Sequence, residues 1–221
     1  MVINQLKRKN YYPKLNKSYI LMVVLFLNFM ACKNNHNEIN ENIEENQTIE
    51  VPVIPALPHD VINSVKEYVL HNGYNPKIAF FINFKIQSGK KRFFIYDFEQ
   101  NSIIEKGLVS HGSGSVIPNS DSLIFSNIED SHQSSLGKYK IGNSYFGRYG
   151  KSYKLFGLDS TNNNAFDRVI VLHKFECIPE EESEDKICLS LGCPAFSPSF
   201  FSVLENYIDS SPRPILLYAF Y

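Results

Sequence analysis

Hydrophobic positions along the chain fall into three regimes. An unbroken apolar run, Tyr19 to Ala31 (YILMVVLFLNFMA), follows a basic stretch. From Lys33 to about Pro58 the chain is polar, rich in Asn and Glu, and closes on VPVIPALP. Beyond that, apolar residues recur first at helical and then at strand spacing. Val61, Ile62, Val65, Tyr68 and Val69 predict a short helix, with Asp60 as its cap and His71-Asn72-Gly73 as its stop. Ile78–Phe84 and Arg92–Asp97 flank a Gln-Ser-Gly-Lys turn and read as a hairpin. Ile103–Val109 is a third strand-like run, and shorter pieces recur at Lys138–Ile141 and Tyr153–Leu155. Arg168–His173 reads as one continuous apolar strand ending in a histidine. Ser197-Pro198 opens a second helix, since proline suits the first helical turn, and Ile215–Phe220 is a closing strand. The pattern predicts a mainly β domain, a mixed sheet or β-sandwich with two short helices. No alternation of strands and helices suggests a parallel Rossmann-type sheet.

The 221 residues suffice for one domain plus targeting segments. The apolar run, roughly a dozen residues, falls short of the about 20 that span a bilayer. It matches the hydrophobic part of a secretory signal, about 7–15 residues. Phe29-Met30-Ala31-Cys32 puts a small residue before a cysteine at the end of that run and resembles a lipobox, whose cysteine carries lipid. A plain N-terminal anchor with an incidental cysteine is the other reading, and both export the domain. The expected organisation is a signal at 1–31, a lipidated Cys32 and Asn/Glu-rich tether at 32–58, and a folded domain at 59–221. Five basic residues and no acidic ones precede Cys32. Without them 17 of the 22 basic residues face 23 acidic ones, a balance that argues against a nucleic-acid partner.

Cys32, Cys177, Cys188 and Cys193 are the four cysteines. Cys32 is assigned to lipid. Cys177 and Cys188 bracket the acidic stretch IPEEESEDKI, and either a disulfide closing this loop or two free thiols fits the sequence. Pairing them leaves Cys193 alone in an exported protein, where an unpaired thiol is a liability unless its reactivity is used. Cys193 lies in Ser190-Leu191-Gly192-Cys193-Pro194. A glycine before the cysteine allows a sharp turn and close approach of a carbonyl. It also leaves the Gly192 and Cys193 amides to point outward as an oxyanion hole, with Ser190 adding a hydroxyl. A thiol needs a base, and His173 at a strand end is the candidate.

Strand-His, spacer and Ser-x-Gly-Cys together resemble the YkuD-type L,D-transpeptidase catalytic domain. Further stretches resemble its murein subgroup: Val109–Gly114, Phe125-Ser126-Asn127, Ser134-Ser135-Leu136-Gly137, Tyr145-Phe146-Gly147, Gly157-Leu158-Asp159, and Asn162–Ala165 with Arg168. The resemblance implies a mostly β fold whose cysteine takes the acyl group of a peptidoglycan tetrapeptide stem and passes it to an amine of another stem, giving a 3→3 cross-link. On this basis Cys193 is the nucleophile and His173 its base, with Ser190 and Gly192 at the oxyanion. His111 either lies near the cleft as an orienting or substrate-contacting group or closes a turn after a strand, and Arg168 either meets a stem carboxylate or pins the Asp159 loop. Lys174 and Pro194-Ala195 depart from the pattern of many members. No cofactor or metal is implied; the expected partners are peptidoglycan stems and, through the lipid on Cys32, a membrane of the cell envelope, with the protein a monomer. Three other readings use the same residues. Water resolves the thioester in an L,D-carboxypeptidase; His111, His173 and Cys193, with His132, hold zinc; or the module binds wall without catalysis.

Overall fold

The computed structural model describes residues 56–221. The expected signal, Cys32 and the expected tether up to residue 55 lie outside the described residues. Eight strands form one mixed sheet: β1 Ile78–Asn83, β2 Phe93–Asp97, β3 Ser102–Gly107, β4 Gly137–Gly147, β5 Gly150–Gly157, β6 Val171–Lys174, β7 Ala195–Phe196 and β8 Leu216–Phe220. Their order is β3-β2-β1-β8-β4-β5-β6-β7. Neighbours run antiparallel except β1 with β8 and β6 with β7. Two helices, α1 His59–His71 and α2 Pro198–Ser210, complete the mainly β domain expected from the sequence. Among the described residues no helix is long and apolar enough to cross a membrane.

Side chains alternate across a strand, so the continuously apolar central strands require cover on both sheet faces. Along β1, Phe80 and Ile82 enter one core while Ala79 and Phe81 enter the other. Helix α1 closes the second core with Ile62, Val65 and Val69. Helix α2 closes the first with Phe201 and Leu204. The sheet curls around that first core. Phe93 of β2 meets Phe196 of β7 with ring centroids 4.9 Å apart, although the two strands stand near opposite ends of the sheet order. Curling gives one sheet the layering of a sandwich and brings β6 and β7 over the core.

Several boundaries differ from the sequence reading. Asp60 sits in the first turn of α1, and the capping position is Pro58, without a side-chain cap. Strand β4 extends well past Ile141 and β5 begins ahead of Tyr153, so the two form a long hairpin. Arg168, Val169 and Ile170 precede β6. Val169 takes a left-handed φ of 57°, which β-branched residues rarely adopt, and the chain turns there before the strand begins. Ser197 caps α2 as expected, its hydroxyl accepting from the Phe200 amide. Glu180 of the acidic loop accepts from the Ser197 hydroxyl at 2.7 Å and from that of Ser199.

Candidate active site

Strand β6 carries His173 into the interior, where the residue is 3% exposed. Its Nδ1 lies 2.8 Å from the Lys174 carbonyl oxygen. A carbonyl only accepts, so Nδ1 carries the proton and Nε2 presents its lone pair. Tyr149, in the turn between β4 and β5, stacks on the imidazole at 4.1 Å and 20°. Burial lowers the His173 pKa below that of a free histidine, against a smaller opposite effect of the bond to Lys174. The imidazole is therefore held in one tautomer and one orientation.

Cys193 arrives from the other side of the same junction. Ala195, two residues on, pairs in parallel register with His173. Gly192 makes the turn at φ +116°, and a Cβ there would stand 2.9 Å from the Gln133 carbonyl and 3.1 Å from Ile170 Cδ1. This is a position that requires glycine. The sulfur accepts from the Val171 amide at 3.5 Å and donates to the Val169 carbonyl at 3.6 Å. Burial pushes the thiol pKa up, while the Val171 amide and the Arg168 charge pull it down. The half-buried thiol and the buried imidazole both open on one space. His173, Cys193, Tyr149, Arg168 and Leu191 line one cavity of about 300 Å³.

The remaining expected site residues are arranged differently. The Gly192 amide is not free; it donates to Ser190 Oγ at 3.1 Å. That hydroxyl in turn donates to the Cys193 carbonyl at 2.6 Å. Ser190 and Gly192 therefore tie the turn together, and within it the Cys193 amide is left without an acceptor among the described residues. Arg168 does not pin the Asp159 loop, and it lines the Cys193 cavity. Its Nη1 donates to the Ser126 carbonyl at 2.8 Å and its Nη2 to the Gln133 carbonyl at 2.6 Å. Asp159 is held instead by the Lys138 amide at 2.7 Å and the Lys138 ammonium at 2.9 Å. Arg168 thus fixes the segment that backs Gly192 while standing on the cavity wall.

The His111 backbone and side chain face different places. Its backbone is close to the nucleophile's turn, with its carbonyl accepting from the Ser190 amide at 2.9 Å. Its side chain opens into a different cavity, so His111, His173 and Cys193 do not converge as a zinc site would need. Cys177 and Cys188 form a disulfide with Cα atoms 6.0 Å apart, and Cys193 is the free thiol among the described residues. Sequence reasoning missed Tyr149 and the Val171 amide. An aromatic between Arg148 and Gly150 at a hairpin tip was the available signal for the first; backbone amides leave no signal in a sequence.

Residues 56–219 match the L,D-transpeptidase catalytic domain family. The chain belongs to that family, and it is an enzyme of the L,D-transpeptidase type acting on peptidoglycan. Among solved structures, the L,D-transpeptidase (residues 123–326) from Xylanimonas cellulosilytica DSM 15894 is similar at 14% identity, over 70% of this chain and 68% of that one, with a TM-score of 0.34. Comparison with curated proteins gives no significant match.

Proposed function

We propose that the chain is a murein L,D-transpeptidase that uses Cys193 as a thiol nucleophile on tetrapeptide stems. The observation that carries this reading is the shared cavity, in which a free thiol and an imidazole with a fixed tautomer both face the same space. His173 Nε2 takes the Cys193 proton as the sulfur attacks the carbonyl of the stem's third residue. The Cys193 amide, the donor left free in the turn, stabilises the oxyanion. His173 returns the proton to the leaving amine, the C–N bond breaks, and D-alanine departs. An amine of a second stem then attacks the thioester, His173 takes its proton, and the thiol is restored as a 3→3 cross-link forms. Ser190, Gly192 and Arg168 act as positioning residues for this turn. The lipidated Cys32 would hold the domain at a membrane of the cell envelope by its tether.

Incubation of the protein with purified tetrapeptide stems tests the reading. Dimeric stems are the expected product. Release of D-alanine without dimers would mean that water resolves the thioester, making the enzyme a carboxypeptidase; neither product would overturn the assignment. For the anchor, mass spectrometry of the processed N-terminus is expected to find an acylated Cys32, and an unmodified Met1 would contradict it.

A further inference from the structure

A second cavity, of about 140 Å³, lies across the Leu189–Ser190 segment from the first, with Leu189 lining both. Cavities of this size hold a ligand of a few heavy atoms; one of about 150 Å³ takes benzene. Its floor is polar in an unusual way. Arg92 is 1% exposed and has no carboxylate partner among the described residues. It donates to the Val109 carbonyl through Nε and Nη2, to the Ile86 carbonyl through Nη1, and to His111 Nδ1 at 2.8 Å. A guanidinium has no lone pair to offer, so Nδ1 must accept and the His111 proton sits on Nε2. Among the described residues Nε2–H has no acceptor, although His111 is only 3% exposed. No fully buried side-chain nitrogen among the described residues lacks a partner, so this Nε2 is an accessible atom, reached from the cavity that His111 lines.

Charge and shape together select the ligand. Arg92 and Lys186 are the cations of the lining and Asp121 its carboxylate; Asp121 pairs with Lys186 at 3.2 Å. One positive charge is left over, and it is the buried one. The other walls are mostly apolar, among them Phe84, Leu123, Ile187 and Leu189. A neutral imidazole donor, an uncompensated guanidinium behind it and an exposed ammonium at the rim suit a single carboxylate carried on a small apolar group.

We propose that this cavity is a binding site for the carboxylate end of an alanine-sized residue, received by His111 Nε2–H and Lys186, separate from the Cys193 cavity. Only the source of the carboxylate, a peptide stem, rests on the proposed function; the site itself rests on the Arg92–His111 geometry.

The test is calorimetric titration of the full chain with N-acetyl-D-alanine, N-acetyl-L-alanine and N-acetyl-D-alaninamide. Saturable binding of the acids and about tenfold or weaker binding of the amide are expected, the scale of one charge-assisted hydrogen bond. His111→Asn keeps an acceptor for Arg92 but removes the Nε2 donor, and it should weaken the acid about tenfold or more. Lys186→Met, at an exposed position where folding is not at stake, should weaken it severalfold. Cys193→Ala should bind the acid as the wild type does. Preference for the D-acid supports a stem as source; equal affinity for both acids supports the site with free small carboxylates as its ligand. No binding, amide and acid binding equally, binding unchanged by both His111→Asn and Lys186→Met, or binding lost in Cys193→Ala would each overturn the proposal. Carbapenem acylation of the wild-type protein, read in parallel, reports separately on the nucleophile.

Discussion

Acidification from about pH 7 to about pH 5 acts on His111 before most carboxylates are protonated. Burial, the Arg92 guanidinium and the Lys186 charge lower its pKa from 6.5 to about 3. Between those two values the unfolded chain binds a proton that the folded chain refuses, so stability falls as pH drops through the window. At pH 5 the unfolded imidazole is almost fully protonated and the folded one is not, a difference of about 1.5 log units. At 1.36 kcal/mol per unit this amounts to about 2 kcal/mol lost from His111 alone. Arg92, though lowered to about 9 by its burial, keeps its charge throughout. His173 is also lowered and adds to the slope in the same direction. The comparison with His111→Asn isolates the effect, because an asparagine oxygen still accepts from Arg92 and does not titrate. Urea unfolding of both proteins at the two pH values should show the wild type losing about 2 kcal/mol more than the variant. Equal losses would refute the claim that a neutral His111 is locked against the guanidinium.

Three substitutions probe the site and its supports. Gly192→Ala places a methyl group against the Gln133 carbonyl at a φ of +116°, and should cost about 1–3 kcal/mol and nearly abolish acylation of Cys193, read by thermal unfolding and mass spectrometry. Replacing Cys177 and Cys188 together by serine opens a loop of sequence separation 11, and should lower stability by about 2–3 kcal/mol in chemical denaturation. Tyr149→Ala removes the ring stacked on His173 and should lower the acylation rate about tenfold, the scale of about 1.4 kcal/mol, with Tyr149→Phe restoring it. Equal rates in the two Tyr149 variants would mean that the stack does not position the base.

What the chain disclosed in advance follows from the range of each signal. The central strands were legible because Ala79–Ile82 and Phe93–Tyr96 are apolar on both sides and buried on both faces of the sheet. The far end of β4, Asn143–Gly147, is held by pairing with β5 and largely exposed, so its sequence carries no alternation to read. Strand β7, Ala195–Phe196, is too short to have a period. Arg168–Ile170 resembles strand because its side chains are apolar around one arginine, but their amides close a turn onto the Asn164, Phe166 and Ala165 carbonyls and Val169 is left-handed. Cys193 and His173 emerged from residue type and neighbours alone. The fate of the Gly192 amide did not, since one hydrogen bond to Ser190 decides it. Arg92 gave no sign of its burial in Lys90-Lys91-Arg92, because the Val109 carbonyl and His111 ring that hold it lie far along the chain.

The most direct measurement of the central claim is intact-protein mass spectrometry after exposure to a carbapenem, with the modified residue mapped by peptide digestion. One adduct per chain is expected on Cys193, absent in Cys193→Ala and formed far more slowly in His173→Ala. Equal labelling of Cys193→Ala, or no adduct on the folded wild-type protein, would contradict it.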